Sequence, residues 1–104
     1  MSDIRKAPDD CATMADVRIE IDRLDRLIVD YLVERSSYVA RASEIKRLKS
    51  EIVDKPRIED VIAKVRAHAL SMGADPELLE AIYRSMIAAF IAFEERAFER
   101  KGRN

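Results

Sequence analysis

The chain is poor in the residues that carry chemistry by themselves. It has one cysteine, Cys11, and one histidine, His68, so an intrachain disulfide is impossible and neither a zinc site nor a Cys/His catalytic arrangement can be assembled. The two glycines, Gly73 and Gly102, exclude a glycine-rich phosphate loop. No metal and no nucleotide cofactor is therefore expected. The opening thirty residues hold no apolar stretch of signal-peptide or membrane-spanning length, so a cytoplasmic protein with no membrane partner is expected. An excess of charge of one sign is missing too. With 19 basic and 20 acidic residues the formal net charge is −1, and no overall field draws the chain to nucleic acid.

What is abundant is apolar and charged side chains, 48% and 38% of the 104 residues, with three prolines and no strand-like alternation. That is the composition of a single all-α domain with no room for a second core. Residues 1–12 are polar, carry Pro8 and lack periodicity, and are read as an N-terminal arm. A first helix is predicted from Thr13, with Asp16 completing a capping box, to about Ser50. A second starts at Asp54-Lys55-Pro56, presents Ile58, Val61, Ile62, Val65 and Leu70, and stops at Gly73. Asp75-Pro76-Glu77 opens a third, whose stripe is Leu79, Ile82, Tyr83, Met86, Ile87, Phe90, Ile91 and Phe98. The helical domain thus spans 13–100, and the tail at 101–104 is expected to fray.

The first helix decides the architecture. At about 37 residues it would reach roughly 55 Å, whereas a compact domain of this size has a radius of gyration near 13 Å. Its apolar seam, Val17, Ile21, Leu24, Ile28, Tyr31, Tyr38, Ala42 and Ile45, continues along the whole length, with Tyr31 and Tyr38 read as core. Another chain has to cover the overshoot, and two long helices packed together in an intertwined homodimeric bundle do so economically. A coiled-coil adaptor without chemistry has the same periodicity.

One position breaks the seam. Arg35 stands where a leucine is expected, and a guanidinium cannot shed its charge on burial, so an anion has to meet it. Lys46 follows eleven residues later, about three turns, and projects from nearly the same face roughly 16 Å along the axis. An internal ion pair with Glu94 would satisfy Arg35, and Lys46, opening the run Lys46-Arg47-Leu48-Lys49, could equally belong to a solvated face. Arg18, by contrast, lies seventeen residues before Arg35, about 25 Å away along the helix, too far to grip the same small molecule within one chain.

The arrangement Asp16-Val17-Arg18, Ile21-Asp22-Arg23-Leu24-Asp25, Arg35 after Leu32-Val33-Glu34, Lys46 after Ala42-Ser43-Glu44-Ile45, and Arg57 beyond the loop resembles the all-helical chorismate mutase family over nearly the whole chain. The opening Pro8-Asp9-Asp10-Cys11 is similar to a bacterial member of the same fold, isochorismate pyruvate lyase. The resemblance implies a homodimer with two sites, each completed by Arg18 across the interface. It maps Arg18 and Arg35 onto the two carboxylates of chorismate, Lys46 onto the ether oxygen, and Asp54, Arg57 and Glu94 onto the rest of the substrate site. The reaction implied is a concerted rearrangement to prephenate that needs no nucleophile, metal or cofactor.

Two departures bear on the substrate. Glu94 stands where many members resemble one another in having Gln, and a carboxylate repels a developing oxyanion. Only a protonated Glu94 could donate there, which burial favours and a nearby Lys46 opposes, so activity is expected to fall as pH rises and Glu94→Gln to flatten the profile. The alternative is an ion pair of Glu94 with Lys46 or Arg35. After Arg57 the mutases commonly carry a glutamate for the ring hydroxyl, and here Ile58 follows while Asp54 remains. Ile58 resembles the apolar residue of the lyase, so isochorismate is the alternative substrate.

Overall fold

A computed structural model describes residues 5–102, and the fold is all-helical, with no strand among the described residues. Three α-helices follow one another: α1 at Met14–Ile45, α2 at Lys55–Ser71 and α3 at Pro76–Arg100, with single 3-10 turns at Pro8–Asp10 and Lys49–Glu51. The chain divides into two compact units that meet between Ser36 and Ser37.

The helix starts follow from local chemistry. At α1, Thr13 Oγ1 accepts the amide of Asp16 at 3.1 Å while the Asp16 carboxylate accepts the amides of Ala12 and Thr13 at 3.0 and 3.3 Å. Those bonds satisfy donors that a helix N-terminus leaves orphaned. Asp54 and Asp75 cap α2 and α3 by accepting from Arg57 N at 3.0 Å and Glu77 N at 2.9 Å, each followed by a proline in the first turn. Gly73 ends α2 at φ +70°: its amide bonds Leu70 O, and the amide of Ala74 bonds Ala69 O at 2.9 Å. This is the paired closure that a left-handed residue after a helix permits.

The end of α1 differs from expectation. The helix stops at Ile45, five residues short of Ser50, so its 32 residues span about 48 Å. The cause is Glu51, whose carboxylate accepts the amides of Arg47 and Leu48 at 2.8 and 2.7 Å and offers them an alternative to the helical ladder. These two amides hold the Glu51 carboxyl below its ordinary range. Lys46 therefore leaves the last turn at a corner, its amide still bonded to Ala42 O at 2.9 Å.

In the second unit α2 and α3 form an antiparallel hairpin, α2 contributing buried Ile62 and Ala69, α3 Ile87, Ala97 and Phe98, and the linking segment before α2 Ile52. Its rim is tied by charge: Arg84 forks onto Glu59 at 2.9 Å, and Glu80 accepts from both Arg84 and Arg66. Those partners raise the Arg84 guanidinium above its ordinary range, Glu59 first. Such exposed pairs set the hairpin register more than they stabilise it. Phe98 is different, being fully buried with 0% exposure. Phe98→Ala is expected to destabilise the fold by about 3–5 kcal/mol, measured by denaturant unfolding, because it combines lost transfer energy with a cavity.

Within the first unit no described residue is buried. Tyr31 and Tyr38, expected in the core, are each 70% exposed, and Ile21, Leu24, Ile28 and Ile45 are exposed with them. The apolar seam of α1 thus stands exposed at these six positions and is half-buried at Val17 and Ala42.

Candidate functional site

The second unit brings two of the expected site residues together. Lys46 Nζ donates to Glu94 Oε2 at 2.8 Å, joining the end of α1 to α3 across 48 residues of sequence. The pair is withdrawn from water, with side-chain exposures of 26% and 8%. Lys46 is thus no solvated-face residue. Glu94 reaches this position because it continues the stripe of Ile87 and Phe98 on α3, so its carboxylate is buried beside apolar neighbours. A buried carboxylate and ammonium in contact compensate each other's desolvation, and removing either would leave an uncompensated charge.

Two further pairs brace the corner at Lys46. Lys49 donates to Glu99, and Glu44 accepts from Lys101 and Arg41, which hold its carboxyl below the ordinary range, Lys101 first. Glu99 likewise raises the Lys49 ammonium. Neither pair was anticipated, since partners 50 and 57 residues apart leave no trace in periodicity.

The other candidates in this unit have separate roles. Asp54 is spent partly on its cap, and Arg57 is exposed, its Nη1 bonded to Asp60 at 3.0 Å. Ile58 is half-buried one residue beyond Arg57. His68 is exposed.

Arg18 and Arg35 belong to the first unit. Arg18 projects from the second turn of α1 and is exposed. Arg35 is half-buried and its Nη1 is closed off from solvent, so the residue that breaks the seam is also drawn inward.

The chain matches the family model for type II chorismate mutase over residues 17–95. It belongs to that family. The span matched starts one residue before Arg18 and ends one residue after Glu94, so every basic candidate lies inside it. A chorismate mutase-family relative, the isochorismate pyruvate lyase of Pseudomonas aeruginosa, is 33% identical over 87 residues, covering 84% of this chain and 86% of that one. Family membership makes the chain an enzyme acting on a small molecule of the chorismate type. No helix among the described residues is long and apolar enough to cross a membrane.

Proposed function

We propose that the chain is a chorismate mutase, a cytoplasmic, cofactor-free homodimer that rearranges chorismate to prephenate in aromatic amino acid synthesis. The observation that carries this reading is the Lys46–Glu94 pair: a cation 26% exposed, fixed against a buried carboxylate, in a chain of this family. Such a cation is preplaced for the one event the reaction needs helped. As the ether carbon–oxygen bond breaks and the new carbon–carbon bond forms, negative charge grows on the ether oxygen, and Lys46 stabilises it more than it stabilises the ground state. Arg35 and Arg18 of the partner subunit take the two carboxylates, which holds the side chain over the ring in a reactive geometry. Arg57 adds charge at the start of α2, and Asp54 takes the ring hydroxyl.

The dimer rests on the bare seam. Fully burying an aliphatic or aromatic side chain is worth about 1.5–3 kcal/mol, and Ile21, Leu24, Ile28, Tyr31, Tyr38 and Ile45 all stand exposed along one helix. A second copy of α1 offers the complementary stripe.

Glu94 accepts from Lys46 and so holds its ammonium in place.

A second reading is favoured by two observations, the 33% identity to the Pseudomonas aeruginosa lyase and the half-buried Ile58 after Arg57. Isochorismate carries its ring hydroxyl on a different carbon, and the same clamp and donor would serve elimination of pyruvate to leave salicylate. Purified protein given chorismate and isochorismate separately, with products resolved by chromatography, tests both. Prephenate from chorismate is the expected result. Salicylate and pyruvate formed from isochorismate at much higher efficiency would assign the lyase, and turnover of neither would overturn both readings.

A further inference from the structure

The described part of the N-terminal arm, residues 5–12, is folded onto α1. Pro8–Asp10 make a 3-10 turn closed by the amides of Asp10 on Ala7 O at 2.9 Å and Cys11 on Pro8 O at 3.2 Å. From that turn the chain runs back along α1. The Lys6 amide donates to Glu20 Oε2 at 3.0 Å, and Lys6 Nζ donates to Asp16 Oδ1 at 3.2 Å. The other Asp16 oxygen takes the Ala12 and Thr13 amides. The Ala12 amide and then the Lys6 ammonium hold the Asp16 carboxyl below its ordinary range. Between arm and helix lies a cavity of about 240 Å³ whose walls include Pro8, Cys11, Val17 and Leu24, so the fit is apolar as well as ionic. The Glu20 carboxylate is also bonded to Arg23 Nε at 2.8 Å, which fixes it in turn.

The arm grips α1 at two points one turn apart, Asp16 and Glu20. Arg18 lies two residues from each, about 200° round the helix at 100° per residue, on the side the arm leaves open. It is also the fifth residue of α1, inside the turns where helices fray. A guanidinium that must meet a carboxylate in another subunit tolerates little of that motion, since a misplacement of about 1 Å can lower rate a hundredfold.

We propose that the arm is a strap that positions Arg18: Lys6, Asp16 and Glu20 lock the back of the first two turns of α1 so that Arg18 on the front is presented rigidly to a carboxylate of the substrate. This rests on the reading that Arg18 binds substrate across a homodimer. The strap residues touch no substrate and act only through Arg18.

The test replaces Lys6–Asp10 with a Gly/Ser segment of equal length in the full chain, which removes the Lys6 ammonium and the Pro8 turn and leaves the Thr13/Asp16 cap. Amide exchange of residues 14–22 is expected to quicken about tenfold while the dimer and the exchange of α2 and α3 stay unchanged. The kcat/KM for chorismate, or for isochorismate if that is the substrate, is expected to fall about tenfold, because Arg18 holds the carboxylate in the reactive geometry. In an Arg18→Ala background the same replacement is expected to leave the residual kcat/KM where Arg18→Ala alone put it. Unchanged exchange at 14–22 overturns the strap whether or not the protein is active. An unmoved kcat/KM in an active protein, or a fall of equal size in the Arg18→Ala background, overturns its role toward Arg18 alone. A wild-type chain that turns over neither substrate overturns the proposed function and this role with it.

Discussion

Replacing Lys46 with alanine is expected to lower turnover at least a hundredfold in a chain that still folds. The magnitude follows from the place of the charge. A single preorganised donor at a developing oxyanion is worth about 2.7–4 kcal/mol, and Lys46 is a cation that the structure withdraws from water and fixes, through Glu94, at the end of α1. The complication is structural, because the substitution strands a buried carboxylate, and breaking a buried pair by removing one partner can cost about 3–5 kcal/mol of stability. Lys46→Ala combined with Glu94→Gln separates the two effects. The double variant lacks both charges, so its unfolding midpoint is expected to recover toward wild type while its turnover stays down. Turnover near normal in Lys46→Ala, measured under saturating substrate, would remove Lys46 from the chemistry and leave the ion pair as a brace between α1 and α3.

Where the sequence was legible, the signal was local. Thr13 with Asp16, Asp54 with Pro56, Asp75 with Pro76 and the positive φ of Gly73 each act within a few residues, and each marks a boundary within two residues of where the structure has it. The end of α1 was not legible for the same reason in reverse. No Gly or Pro interrupts the chain from Ile45 to Ser50, and the carboxylate that captures the Arg47 and Leu48 amides belongs to Glu51, an unremarkable residue for a helix. Lys46 and Glu94 could be named from the seam and from the α3 stripe, and their pairing was one of the arrangements open to them. The Lys49–Glu99 and Glu44–Lys101 pairs could not, since hydropathy patterns carry no information on which charged side chains meet across 50 residues. Tyr31 and Tyr38 mark the third kind of limit. Periodicity identifies a face to be buried, but it does not say what buries it, and both side chains stand 70% exposed. The arm shows a fourth, because Lys6 and Glu20 carry no signal in the sequence, and Asp16 none beyond its cap, until the Pro8 turn brings them together.

Two inactive variants, Arg18→Ala and Lys46→Ala, are expected to restore activity to each other when refolded together. If each site is built from Arg35 and Lys46 of one subunit and Arg18 of the partner subunit, then in a mixed dimer the subunit that keeps Lys46 receives an intact Arg18, and that site works. The other site carries both substitutions and stays dead. Random pairing makes about half of the dimers mixed, each with one working site of two, so about one quarter of wild-type turnover should return from variants that separately show around one per cent or less. The chains have to be denatured and refolded as a mixture, because an intertwined α1 pair will not exchange subunits readily in the folded state. Arg18 acting within its own chain predicts the opposite result: every mixed dimer would then hold one subunit without Arg18 and one without Lys46, and activity would stay at the level of the separate variants. The experiment thus reads the connectivity of the site, which the length of α1 constrains from the outset. Seventeen residues of helix put Arg18 about 25 Å from Arg35, and that separation lets both meet one small dianion only when the two arginines come from different chains.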